Sequence, residues 1–429
     1  MRIRLFKSVF AATVFSIVFL GFSPTNAFAA TYYAAKTGNN SNSCAQAQNA
    51  NTAKLTITGG ISCLSAGDTL IVKAGTYAES LNNPFTNTGT SWDNPIIVKA
   101  ESSRSVIIKP SSAQDALAFT TSSQKYVEFD GIEVDASNVE IYGLRIWAFA
   151  NHIRFKNSAI LNSPNQGVSI LKDAGGSPDG NEFINVEVAY TAMNTNGTTR
   201  PCFGGGNRQD GYCHGLYIGG DNNLLDGVNL HHNNGYGVQF YPQGNRGNAI
   251  RNSISHDNRD TGIGSLGNDN QVINNVVYNN GGGGLLIRES NCLVYNNTVY
   301  NNLGGWDGMN IQGSGHKVKN NIFFQNGVNG MSLDATNLVG VNPLFVNATA
   351  GDLHLQSGSP ARDKVVCVSE VSTDKDGVTR PQGSLCDMGA YEYTGSLPTP
   401  TQTPTTLPTP TPTPTIVLTS TKFLLNARV

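Results

Sequence analysis

Between His214 and Asp334, apolar and polar positions recur with a period of about two dozen residues. Five successive rows read HGLYIGGDNNLLDGVNLHHNN, YGVQFYPQGNRGNAIRNSISHDN, TGIGSLGNDNQVINNVVYNN, GGLLIRESNCLVYNNTVYNN and DGMNIQGSGHKVKNNIFFQN, and NGMSLD begins a sixth. The row glycines are Gly215, Gly237, Gly262, Gly284, Gly308 and Gly330, spaced 22, 25, 22, 24 and 22 apart. One apolar column follows them: Leu216, Val238, Ile263, Leu285, Met309 and Met331. A second lies two residues on: Ile218, Phe240, Ser265, Ile287, Ile311 and Leu333. Strand side chains alternate faces, so both columns point one way and the residues between them point the other. A repeat of this size, built from short β-type runs and polar turns, predicts a solenoid whose coils stack at ~4.8 Å.

The row ends carry amides. One expected column is Asn234, Asn258, Asn280, Asn302 and Asn326; another is Asn229, Ser253, Asn275, Asn297 and Asn321. Asparagine tolerates left-handed backbone geometry, and stacked amides can bond one another as a ladder. A third column is ring-rich: His232, His256, Tyr278, Tyr300 and Phe324. Helical and leucine-rich repeats are excluded, because neither a 3.6-residue period nor repeated leucines with a single Asn is present. Coil length and asparagine ladder together resemble the right-handed parallel β-helix of the pectate-lyase-like superfamily. That resemblance implies an all-β, single-stranded right-handed parallel β-helix of about 22–25 residues per coil with an N-terminal cap. Since one fold hosts many activities, it implies no single reaction.

The flanks divide the chain further. Residues 1–29, basic and then apolar, end in Ala-Phe-Ala and are expected to be a secretory signal peptide. Residues 30–93 are expected to form the cap and first strands, and 94–341 the helix proper, with a glycine-rich insertion at 193–213. The pieces NPLF, DLHL, GSPARD, DxDGxxRP and DMGAYEY within 342–394 resemble the closing module of bacterial surface β-helix proteins, often described as a choice-of-anchor domain. It is expected to seal the last coil. Residues 395–415 form a Pro/Thr linker before a tail, 416–429.

Lys and Arg number 28 against 30 Asp and Glu. Loss of the leader removes three basic residues and leaves 25 against 30, a charge of −5, which disfavours nucleic acid as a partner. Seven cysteines in a secreted chain predict the pairs Cys44–Cys63, Cys202–Cys213 and Cys367–Cys386, with Cys292 left buried within a coil. A monomer with a route to cell-surface attachment is expected.

Candidate chemistry lies on the outward columns. Tyr217, Gln239, Gly264, Leu286, Asn310 and Ser332 form one; Gly219, Tyr241, Leu266, Arg288, Gln312 and Asp334 form the next, with Glu289 beside Arg288 and with His214 and Asp307 just before their glycines. Rings and amides along such a strip suit a polysaccharide. Elimination at a uronic acid requires a cation on the sugar carboxylate and a base for the adjacent proton. Arg288, His214, Tyr217 and Tyr241 are the catalytic candidates, and Gln239, Asn310, Gln312 and Glu289 the substrate-binding ones. Pectate-type lyases with this coil pattern carry DDGxD and a Lys on the next coil. The matching stretch here is Asp260-Thr261-Gly262-Ile263-Gly264, with Leu286 at the Lys position, so calcium would rest on Asp257 and Asp260. Two alternatives stand beside the lyase: a non-catalytic, adhesin-like carbohydrate binder, and an inverting hydrolase using Glu289 and Asp334.

Overall fold

The structure, a computed structural model, describes residues 29–200, 202, 213–241, 245–304 and 308–395. The expected leader up to residue 28, most of the 193–213 insertion, Asp307, the Pro/Thr linker from residue 396 and the tail lie outside the described residues. Three parallel sheets of 11, 10 and 11 strands wind into one β-helix, each strand pairing with its counterpart one coil away. Sheet A includes Leu224–Asp226 and Ala249–Arg251, sheet B Asn229–His231 and Ile254–His256, and sheet C Leu216–Ile218 and Val238–Phe240.

The inward columns of sheet C are buried from Leu117 to Ile311. Phe129, Phe155 and Phe183 stack inside sheet A at 5.0 and 5.9 Å, each pair tilted by 7°. The glycine column has a steric cause. A Cβ on Gly215 would stand 2.6 Å from the Gly237 carbonyl oxygen, and one on Gly262 would stand 2.5 Å from Val277 Cγ1. These positions therefore face the interior, directly ahead of another inward residue, and the residue before each glycine is turned outward.

Both corners flanking sheet B use two residues with separate tasks. Between sheets A and B, Asn157, Asn185, Gly227, Asn252, Asn274, Asn296 and Asn320 all have φ between 49° and 69°. Asparagine and glycine are the residues that enter this left-handed region at least cost. The next residue builds the ladder. Asn275 donates from its backbone N–H and Nδ2 to Asn297 Oδ1, both at 3.0 Å, and Asn297 does the same to Asn321 at 2.8 and 3.0 Å. After sheet B, His232, Asp257, Asn279, Asn301 and Gln325 take the left-handed turn, with φ of 50° to 54°.

Hydrogen bonding corrects the expected register by one residue in the first row. Asn233, not Asn234, bonds Asn258; His231, not His232, pairs with His256; and Val228, not Asn229, precedes Ser253 in the ladder. The sixth glycine is Gly327, because Met309 pairs with Val328 and Asn310 with Asn329. Met331, Ser332, Leu333 and Asp334 therefore fall past the last strand of sheet C. A further ladder went unpredicted at the turn into sheet A: Asn181, Asn223, Asn248 and Asn270, with Cys292 in the following place.

At the N-terminal end, α1 (Cys44–Ala47) and α2 (Ile57–Ile61) begin on Ser43 and Thr56 side-chain caps, and α2 buries Ile57 and Ile61. Disulfides join Cys44–Cys63, Cys202–Cys213 and Cys367–Cys386, and Cys292 is free and buried. The C-terminal segment lies along the flank rather than across the last coil as expected. Phe345, Leu353, Leu355, Met388 and Tyr391 pack on Val276 and Ile322 of sheet B, beside Tyr278, Tyr300 and Phe324. Asp374 accepts backbone N–H bonds from Asp376, Val378 and Glu392, so its carboxylate is a turn support.

Candidate functional site

The outer face of sheet C carries three columns, because the inward glycines displace the preceding residues to the outside. Tyr142 pairs with Asp115 and Gln166, and the same line continues through His214, Tyr236, Thr261 and Gly283. The second line is Ala118, Arg145, Ser169, Tyr217, Gln239, Gly264, Leu286 and Asn310. The third contains Trp147, Leu171, Gly219, Tyr241, Leu266, Arg288 and Gln312.

Three of the four catalytic candidates meet in the middle of this face. The His214 ring stacks on Tyr217 at 5.9 Å and 11°, and Tyr217 lies 5.9 Å from Tyr241. His214 is 2% exposed, and its Nδ1 accepts the Tyr236 backbone N–H at 3.0 Å, which puts the ring proton on Nε2. Burial drives its pKa down to about 3, with Gln239 opposing weakly, so the imidazole is neutral at any physiological pH. Burial, then Tyr241 and Tyr142, push the Tyr217 phenol up to about 12. This cluster binds through neutral donors and acceptors.

Arg288 stands apart from it, two coils beyond Tyr241, or ~10 Å along the stack. It lines a cavity of about 120 Å³ with Tyr236, Asp260, Thr261, Gly283, Leu285 and Leu286. Its Nε is buried with no hydrogen-bond partner among the described residues. Asp260 accepts from Thr261 N at 2.7 Å and Thr261 Oγ1 at 3.2 Å, both on Oδ1. Burial raises the Asp260 pKa above the ordinary carboxylate value, against the opposing pull of Thr261 and Arg259. A guanidinium and a more basic carboxylate thus share one recess.

Of the substrate-binding candidates, Gln239 neighbours Tyr217, and Gln312 Nε2 donates to Asn310 Oδ1 at 3.3 Å. Glu289 begins the turn beyond the strand, with φ of 67°. The carboxylate pair does not form: Asp334 is an exposed turn cap bonded to Thr336 past the last strand of the face. Nor do the calcium candidates converge. His256 Nδ1 binds Asp257 Oδ2 at 2.7 Å beside sheet B, whereas Asp260 serves the sheet C cavity. Among the described residues no group of three or more His, Cys, Asp or Glu is placed to hold a metal ion. These residues do not fit a calcium site.

Sequence reasoning missed the far end of the face, where Arg145 Nη2 binds Asp115 Oδ2 at 2.9 Å. Arg145 also lies 5.5 Å from the Trp147 ring centroid. The early coils lack the regular rows that would have aligned them.

A family model for the right-handed β-helix region matches residues 214–362. No curated protein matches the chain. Among solved structures it is similar to the pectate lyase Pel9A, at 17% identity and a TM-score of 0.54, covering 85% of this chain and 96% of that one. A rhamnogalacturonan lyase matches at 15% identity and a TM-score of 0.54, covering 83% and 96%. XylC in complex with xylose matches at 12% and 0.52, covering 70% and 69%. At these identities the likeness is one of fold.

Proposed function

We propose that this chain is an extracellular polysaccharide lyase acting at a uronic acid in the outer groove of sheet C. The observation that carries the reading is the cavity that joins Arg288, its Nε without a partner among the described residues, to an Asp260 made more basic by burial. Arg288 would hold the sugar carboxylate and spread the charge that develops when the adjacent carbon loses its proton. Asp260 would take that proton; the bond to the glycosidic oxygen breaks, a carbon–carbon double bond forms, solvent water protonates the departing oxygen, and Asp260 then returns its proton to the resulting hydroxide. Tyr217, Tyr241 and Gln239 would receive neighbouring sugars through ring faces and amides. Three disulfides agree with an oxidising compartment, and two lyases among the similar folds agree with the chemistry.

The test is ultraviolet absorbance of unsaturated product from polygalacturonate, alginate and chondroitin. Asp260→Asn is expected to lower kcat by roughly 10²–10⁴, as for loss of a positioned base, and Arg288→Ala by roughly 10²–10³. The rate should rise with pH through a pKa above the ordinary carboxylate value. Product formation that ignores both substitutions would overturn the assignment. The second reading, a carbohydrate binder without turnover, is favoured by the separation of Arg288 from the His214, Tyr217 and Tyr241 cluster by two coils. Retardation in polysaccharide-containing gels with no product from any polymer would establish it.

A further inference from the structure

At the N-terminal end of the same face, three buried polar atoms have no hydrogen-bond partner among the described residues: Asp115 Oδ1, Arg145 Nε and Gln166 Oε1. Asp115 is only 4% exposed, and its other oxygen binds Arg145 Nη2 at 2.9 Å. Tyr142 stands between Asp115 and Gln166, one coil from each. Beside them Trp147 is 37% exposed, an unusual state for so large an apolar ring. Leaving buried polar atoms unpaired costs free energy that a ligand's hydroxyl groups would recover.

We infer that this end of the groove is a subsite for an uncharged pyranose. Two acceptors, Asp115 Oδ1 and Gln166 Oε1, await hydroxyl protons; Arg145 Nε awaits a hydroxyl oxygen; and the indole offers a flat partner for the sugar's C–H face. A uronate does not belong here. Arg145 is already neutralised by Asp115, and Glu140 adds negative charge, so a sugar carboxylate would meet net repulsion.

From Arg145 the register runs through Ser169, Tyr217, Gln239 and Gly264 to Leu286, beside Arg288. Those five coil steps span ~24 Å at the spacing of neighbouring strands. One coil rise is comparable to one sugar ring. The groove is therefore matched to an extended heteropolysaccharide, with a uronate at Arg288 and a neutral residue about five rings away. This rests on the groove's assignment as a polysaccharide site, but it concerns a different end of it.

Isothermal titration of the full chain can test it with two probes. Trigalacturonate is long enough only for the Arg288 end, whereas a rhamnogalacturonan-backbone oligosaccharide of about eight residues alternates charged and neutral sugars and spans both ends. The wild type should prefer the mixed oligomer over octagalacturonate about tenfold. Trp147→Ala should cost about tenfold on the mixed oligomer and leave trigalacturonate within twofold, and Trp147→Phe should restore most of the loss. Asp115→Asn should narrow the mixed-over-homopolymer preference by admitting a uronate. Equal affinity of wild type and Trp147→Ala for the mixed oligomer, or a wild-type preference for octagalacturonate, would overturn the subsite while leaving the Arg288 assignment standing. Failure of the wild type to bind any of the probes would instead overturn the groove assignment.

Discussion

Asn297 is the most informative single residue for the ladder. It is fully buried, and its side chain takes part in four hydrogen bonds. Its Oδ1 accepts from Asn275 N and Nδ2, both at 3.0 Å, while its Nδ2 donates to Val272 O at 2.8 Å and Asn321 Oδ1 at 3.0 Å. Asn297→Ala removes all four. Asn275 Nδ2 keeps Ile250 O and Asn321 Oδ1 keeps the Asn297 backbone N–H, so the Asn275 backbone N–H is the worst orphan. With one full desolvation penalty of about 1–3 kcal/mol and two or three partial losses near 1 kcal/mol each, the expected destabilisation is about 3–5 kcal/mol. Asn301→Gly is the matched control. Asn301 occupies the left-handed position at φ 50° and makes one part-buried bond, to Asn279 Oδ1 at 2.8 Å. Glycine holds that geometry without strain, so a change within about 1 kcal/mol is expected. Urea unfolding followed by circular dichroism measures both. A loss below about 1 kcal/mol for Asn297→Ala, or equal losses for the two variants, would refute the division of labour between turn and ladder residues.

The C-terminal segment supplies further expectations. His354 lies between Asp352 Oδ1 at 2.6 Å and Asp376 Oδ2 at 3.0 Å; burial lowers its pKa, but the two carboxylates outweigh it and raise it overall. Its stabilisation is fully present below the unfolded histidine pKa of about 6.5 and is lost as pH rises through the higher folded value. Protection of the amides at residues 352–391, taken relative to their intrinsic base-catalysed exchange, should therefore fall from pH 6 to 8.5, and His354→Gln should flatten that dependence. Arg380 binds Glu392 Oε1 at 2.6 Å with both side chains 1% exposed. Arg380→Ala should destabilise this segment by about 3–5 kcal/mol in thermal melts, because a buried carboxylate is left unpaired. Reducing Cys367–Cys386, which closes a separation of 19 residues, should cost about 2–4 kcal/mol in the same melts.

The solenoid was legible because its period is written in glycine and asparagine, residues chosen by backbone geometry and interior clearance. What misled was duplication. His231-His232 and Asn233-Asn234 fit two registers one residue apart equally well, and the pairing of His231 with His256 and the hydrogen bond from Asn233 to Asn258 separate them. Gly327 and Gly330 posed the same ambiguity in a shortened final coil. The doublets themselves were the overlooked signal, since Asn274-Asn275, Asn296-Asn297 and Asn320-Asn321 each pair a turn former with a ladder member. The site was less legible. Simple alternation would aim His214 into the tube, yet the inward glycine after it turns the imidazole to the outer face, where Tyr217 and Tyr236 cover it. Arg288 and Tyr241 were placed correctly in one column, but the recess holding Arg288 with Asp260 depends on how a turn closes over two coils. Asp115 lies in coils whose rows share no visible motif with the rest.

The inward glycines and the amide stacks behind them also fix how this molecule can change in length. Excising residues 263–284 would join Gly262 to Leu285, and the inward columns and the two amide ladders flanking sheet B would still meet neighbours of the same chemical kind. Such a shortened tube would carry Tyr241 and Arg288 on adjacent rungs. The size of what the groove accommodates can thus grow or shrink in whole-rung increments without redesign of either end.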